Sequence, residues 1–163
     1  WEEDTGTKVK TLEAPLFCTW DTNGHTYGGI RSIEFSPDGQ FLAAGGNQAG
    51  DTSNVSGSKS LLQIFDWKSG EQTHDFRVGG NFFYERIKFH PDNNWLLGAA
   101  GAGSDQKLVF FDLEKKETIH QVDAGMLTFD LAFGETPATV YSVGRRGNST
   151  VDTNGTLIEW DMT

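Results

Sequence analysis

The sequence predicts an all-β protein built from three repeats of four antiparallel strands, and three observations carry that prediction. The first is a repeat period of 40 to 50 residues: IRSIEFSPDGQFLAAGG, YERIKFHPDNNWLLGAAG and TFDLAFGETPATVYSVG align with one another, as stacked supersecondary units do. The second is alternation. In each segment an alternating apolar pattern, Ile-x-x-Ile-x-Phe in the first, ends on Phe35, Phe89 or Phe133, which puts one apolar face on a strand. The third is a turn containing Pro37, Pro91 or Pro137, followed by a strand of small residues and by one that ends on an aromatic-acid pair, Phe65-Asp66, Phe111-Asp112 or Trp160-Asp161. Nowhere does a 3.6-residue apolar period persist over three turns of helix.

Each element has a local cause. Pro-Asp-Gly at 37–39 and Pro-Asp-Asn at 91–93 supply a fixed φ and then residues tolerant of a left-handed backbone, so both turn the chain tightly. The small residues of FLAAGG and WLLGAAG suit positions where neighbouring sheets approach closely. Lys68-Ser69-Gly70 breaks the chain before a further strand at 71–76.

With these residues in view, the pattern FSPDGQFLAAGG followed by an aromatic-Asp pair, three times over, resembles the WD-repeat β-propellers. The resemblance implies blades of four antiparallel strands, over about 26–76, 82–121 and 126–162, in one partial propeller spanning 1–163. Aromatic-acid ends at Trp1, Phe65, Phe111 and Trp160 lie 64, 46 and 49 residues apart. That phase implies an outer strand at 5–12 that pairs with the last blade, the family's usual closure. Structural repeat positions carried over from the family are His25, Asp38, Asp66, Asp105, Asp112, Trp160 and Asp161. The departures matter: a His equivalent to His25 is missing from the other two repeats, and Lys59 stands where the first repeat should carry its turn acid. Strand packing, more than a His-Asp relay, is expected to hold such degenerate repeats. Closed propellers have about four to eight blades, so three require completion, by the remaining blades of a longer chain or by a second copy in a homodimer.

Composition narrows the function classes. Thirteen Lys and Arg against twenty-three Asp and Glu give a net charge of −10, which opposes nucleic acid and anionic lipid as partners. No apolar run is long enough to be a membrane segment. Cys18, the one cysteine, excludes an internal disulfide and is expected to be a small buried hydrophobe among the apolar residues of LFCTW. The count suits a soluble protein of the cytoplasm slightly better than one of the periplasm. The four histidines share no short spacing and no nucleophile elbow or phosphate loop is present, so neither a metal nor a cofactor is expected.

Two polar insertions, 47–60 and 145–155, open on one face of a propeller, and loops on a rigid scaffold carry recognition. Tyr27, Phe83, Tyr84, Arg86, Phe129, Arg145 and Arg146 are the candidate contributors to a protein-binding face there. The expected function is protein interaction or scaffolding without catalysis. The alternative is a propeller enzyme, hydrolase or cofactor-dependent oxidoreductase, with ligands converging on a central funnel. The matched innermost-strand positions that would carry such ligands are Ile30, Tyr84 and Thr128, with Arg31, Glu85, Arg86 and Asp130 nearby.

Overall fold

The computed structural model describes residues 6–20, 26–48, 59–78, 83–102, 105–146 and 155–162. Among these residues, every element after a 3-10 turn at Pro15–Phe17 is a strand. A short pair comes first, β1 (Thr19–Trp20) with β2 (Thr26–Tyr27). Three antiparallel meanders follow. The first joins β3 (Gly29–Phe35), β4 (Phe41–Gln48), β5 (Lys59–Asp66) and β6 (Gln72–Val78) in chain order. The second joins β7 (Tyr84–Phe89), β8 (Trp95–Ala102), β9 (Asp105–Asp112) and β10 (Glu117–Asp123), and the third only β11 (Leu127–Phe133), β12 (Thr139–Arg145) and β13 (Gly155–Asp161).

The turns form as their residues dictate. Gly39 and Asn93 occupy equivalent positions with φ of 72° and 64°, which Gly and Asn tolerate best. Around Gly39, Asp38 accepts the Ser36 hydroxyl at 2.6 Å and the Gln40 amide at 3.0 Å. Asp66 and Asp112 close the other turns of their sheets by accepting the amides of Ser69 and Lys115, both at 2.8 Å. These hydrogen bonds hold all three carboxyls below the usual aspartate range.

The core lies between the sheets. Leu62, Ile64, Phe76 and Val78 of the first sheet pack on Tyr84, Ile87 and Phe111 of the second, while Leu97, Leu108 and Phe110 of the second pack on Leu131 and Val140 of the third. The middle sheet is therefore apolar on both faces, and its β8 and β9 read as nearly continuous buried runs. Small residues set the spacing. A Cβ on Gly98 would stand 2.8 Å from the Tyr84 ring and 3.3 Å from Phe111, and one on Gly45 would stand 2.8 Å from Ile87.

Two expectations need correction. Residues 6–14 belong to no sheet, so among the described residues the outer strand expected at 5–12 is not formed on the last sheet and β13 pairs on one side alone. Leu12, Ala14, Leu16 and Phe17 instead pack on Ala44, Leu61 and Phe65, over the first sheet's outward face. Lys10 Nζ anchors this segment by donating to the carbonyls of Trp67 and Lys68. The first sheet is adjacent in sequence to this segment, and its outward face offers the apolar surface that Leu12, Leu16 and Phe17 cover. Cys18, expected to be buried, is exposed. It follows the 3-10 turn in extended conformation, and its neighbour Phe17 takes the inward position.

His74 clasps the first two sheets. Its Nε2 donates to the Leu113 carbonyl at 2.9 Å, which leaves Nδ1 of the neutral ring to accept the Thr73 hydroxyl at 2.7 Å. Burial lowers the His74 pKa, against the pull of the Leu113 hydrogen bond and with a contribution from Lys116.

Two outcomes are expected. Gly98→Val, which forces a branched side chain into the contact with Tyr84, costs about 1–3 kcal/mol, measured as a fall in urea midpoint at unchanged m-value. A histidine whose folded pKa is depressed stabilises fully above its unfolded value of 6.5 and loses that contribution as pH falls below it. The wild type should therefore lose more stability than His74→Gln between about pH 7.5 and 5.5; equal losses would show that the clasp does not sense protonation.

Candidate functional site

The innermost strands β3, β7 and β11 lie side by side, and each carries a bulge at the same place. The register shifts between Ile30 and Ser32, between Tyr84 and Arg86, and between Thr128 and Asp130. Arg31, Glu85 and Phe129 are thus the extra residues, each at the end of its strand nearest the two long insertions, where bulges commonly re-aim side chains. Two of the three meet: Arg31 Nη1 lies 3.3 Å from Glu85. One residue on, Arg86 Nε lies 2.8 Å from Asp130 Oδ1. Deeper, Lys88 Nζ lies 3.1 Å from Glu34. A ladder of partly exposed ion pairs therefore ties each inner strand to the next. Each pair contributes little alone, but together they neutralise the charges that line the inner rim.

The expected site residues divide accordingly. Phe83 is half-buried beneath the Arg31 guanidinium, 3.8 Å from its ring centroid, a cation–π contact. Arg86 is committed to Asp130. Phe129 is 50% exposed, and Arg145 and Arg146 are exposed at the end of β12, where Arg145 sits opposite Leu127. Tyr27 lies in β2, opposite Thr19. Tyr84 does not belong on the surface. It is wholly buried between the first two sheets, edge-on to Phe111 at 5.7 Å. Burial pushes its phenol well above the ordinary tyrosine range, against a hydrogen bond with Ser60. Tyr84 and Ile87, three residues apart, share the inward face because the bulge at Glu85 shifts the alternation by one residue.

The repeat residues fall into two groups. Asp38, Asp66 and Asp112 close turns as described above. Trp160 Nε1 donates to the buried Ser142 Oγ at 2.8 Å, Asp161 lies opposite Thr139, and Asp105 begins β9 opposite Ala102. His25 lies outside the described residues. Sequence reasoning placed Arg31, Glu85, Arg86 and Asp130 near the rim but missed their pairing, and it missed Glu34 and Lys88 altogether. The signal was present: equivalent positions in successive repeats carry opposite charges. Among the described residues no three His, Cys, Asp or Glu side chains gather as a metal site, and no helix is long and apolar enough to cross a membrane.

Comparison with known proteins agrees with this geometry. Residues 16–53 match the WD domain, G-beta repeat. The small ribosomal subunit protein RACK1 of Caenorhabditis elegans is 26% identical over 125 residues, 76% of this chain and 33% of that protein. MST50-interacting protein 11 of Pyricularia oryzae is 29% identical over 102 residues, 63% of this chain and 27% of that protein. The chain thus spans about a third of the length of the curated relatives it matches. Among solved structures it superposes on a chain of a mitotic checkpoint complex with a TM-score of 0.60 at 20% identity, covering 82% of this chain and 37% of that one. It also superposes on a chain of Kuenenia stuttgartiensis hydrazine synthase with a TM-score of 0.58 at 15% identity, covering 97% and 49%; at these identities the likeness concerns the fold alone. Three antiparallel sheets stacked face to face, inner strands adjacent, are blades of a β-propeller. In sequence the likeness is to WD-repeat propellers, through the match at 16–53 and the relatives above.

Proposed function

We propose that these blades belong to a protein-interaction propeller, non-catalytic, whose loop-bearing face docks a protein partner. The observation that carries this reading is the contrast at the rim: the inner charges are consumed in pairs between blades, whereas Phe129, Arg145 and Arg146 stand exposed on the same side. An exposed aromatic beside arginines is the composition of an interface centre. Two relatives, one named a ribosomal subunit protein and the other an interacting protein, are in keeping with it. Replacing Phe129 with Ala and both arginines with Glu should weaken partner capture at least about tenfold while the melting temperature stays within a few degrees. Undiminished capture would remove the loop face from the interface.

The stack also needs neighbours. Ile30, Ile33 and Phe35 share the outward face of β3 and are 47%, 62% and 47% exposed, and Val143 and Leu157 on the opposite end are 39% and 65% exposed. We infer that further blades of a larger propeller cover both ends, with a homodimer as the second reading. Light scattering of the isolated segment should then give oligomers or aggregates; a stable monomer of 18.0 kDa at micromolar concentration would overturn it.

A further inference from the structure

Lys10, His74 and His120 occupy one repeat position, each nine residues after an aromatic-acid end at Trp1, Phe65 or Phe111. Two of them make the same contact. His74 Nε2 donates to the carbonyl of Leu113, two residues past the aromatic end of the next blade, at 2.9 Å, and Lys10 Nζ donates to the carbonyl of Trp67, the equivalent residue of the first blade, at 2.6 Å. The match continues along the segment. Leu12 stands at the position of Phe76, and it packs with the cluster that holds Phe65 as Phe76 packs with the cluster that holds Phe111. Residues 10–12 thus sit on the first blade as the outer strand of a blade in front of it would, and no strand pairs with them among the described residues.

The third sheet has the complementary edge, since among the described residues it holds three strands and β13 pairs with β12 alone. Register in the other two sheets fixes what an outer strand there would meet. Ile64 pairs with His74 and Phe110 with His120, while Leu62 pairs with Phe76 and Leu108 with Val122. By the same count from Trp1 and Trp160, Glu159 faces Lys10 and Leu157 faces Leu12. Glu159 is exposed at the position where Ile64 and Phe110 are buried, so the one carboxylate at this ladder position is matched by the one ammonium. Opposite charges and apolar pairs directly across an antiparallel ladder stabilise it, and like charges oppose it. An ammonium has three donors, so Lys10 keeps its two carbonyl partners while it meets Glu159. The second sheet separates the first from the third, so a segment seated on the first blade does not reach β13 of its own chain.

We propose that residues 8–14 of one copy pair with β13 of a second copy, mutually, with a Lys10–Glu159 ion pair and Leu12 against Leu157 setting the register. Two such junctions close six blades into a ring with twofold symmetry, within the range of about four to eight blades found in closed propellers. They also lay Val143 and Leu157 of each copy against the face of Ile30, Ile33 and Phe35 of the other, which covers the exposed apolar ends. The inference rests on the reading that both ends of the stack are covered, and it takes the second copy as the cover.

Light scattering of the whole protein at micromolar concentration should give twice 18.0 kDa. Glu159→Lys and Lys10→Glu should each weaken the dimer at least about tenfold, because each places like charges at both junctions. Mixed in equal amounts, the two variants regain opposite charges at both junctions, and the dimer should return. A role for Lys10 confined to its own Trp67 carbonyl predicts no such rescue by a second chain. On a Cys18→Ser background, Leu12→Cys with Leu157→Cys should form disulfide-linked dimers on mild oxidation, whereas Leu12→Cys with Ile158→Cys, one residue out of register, should not. A monomer of 18.0 kDa would overturn this pairing and the covered ends alike. An oligomer that neither charge variant weakens, or that mixing does not restore, would overturn the pairing alone and leave the ends to other blades.

Discussion

Everything in this chain depends on one constraint: each sheet is apolar on both faces and must be covered on both. The middle blade meets it completely, burying Leu97, Leu108 and Phe110 on one side and Tyr84, Ile87 and Phe111 on the other. Burial of each such side chain contributes about 1.5–3 kcal/mol relative to exposure. The glycines follow from the same constraint. Gly45 and Gly98 sit where facing side chains leave no room for a Cβ, so they pay for close approach with weaker local strand preference.

The polar groups are arranged around that packing rather than in place of it. Turn carboxylates satisfy turn amides, and the rim ion pairs link inner strands that packing has already brought together. His90 illustrates the same economy: it replaces the turn Ser of the first blade, stacks on Trp95 at 4.1 Å and reaches the Pro137 carbonyl of the third blade at 3.2 Å. A turn residue has become a contact between blades.

The fold was legible because its signals are local and repeated. Alternation ending on Phe35, Phe89 and Phe133, tight turns at Pro-Asp-Gly and Pro-Asp-Asn, and small-residue second strands each state a strand or a turn without help from distant residues. What was not legible depends on three-dimensional competition. The N-terminal residues have strand-like alternation, yet where they settle depends on which apolar face is within reach, and that information lies in the stack. Cys18 has apolar neighbours in sequence, but the 3-10 turn before it chooses Phe17 for the interior. The site was half legible: exposed Phe129, Arg145 and Arg146 were recognisable as loop-face residues, whereas Tyr84 required the strand's facing to be followed through.

The segment over the first blade makes the two ends of the stack unlike. Leu12, Ala14, Leu16 and Phe17 occupy the outer half of that face, while the inner stripe of Ile30, Ile33 and Phe35 stays open. Head-to-tail contacts between identical units extend into fibres when nothing closes them. On this chain the two ends are therefore not equivalent surfaces, because residues 12–17 cover the outer half of one of them and leave its inner stripe as the part open to a neighbour.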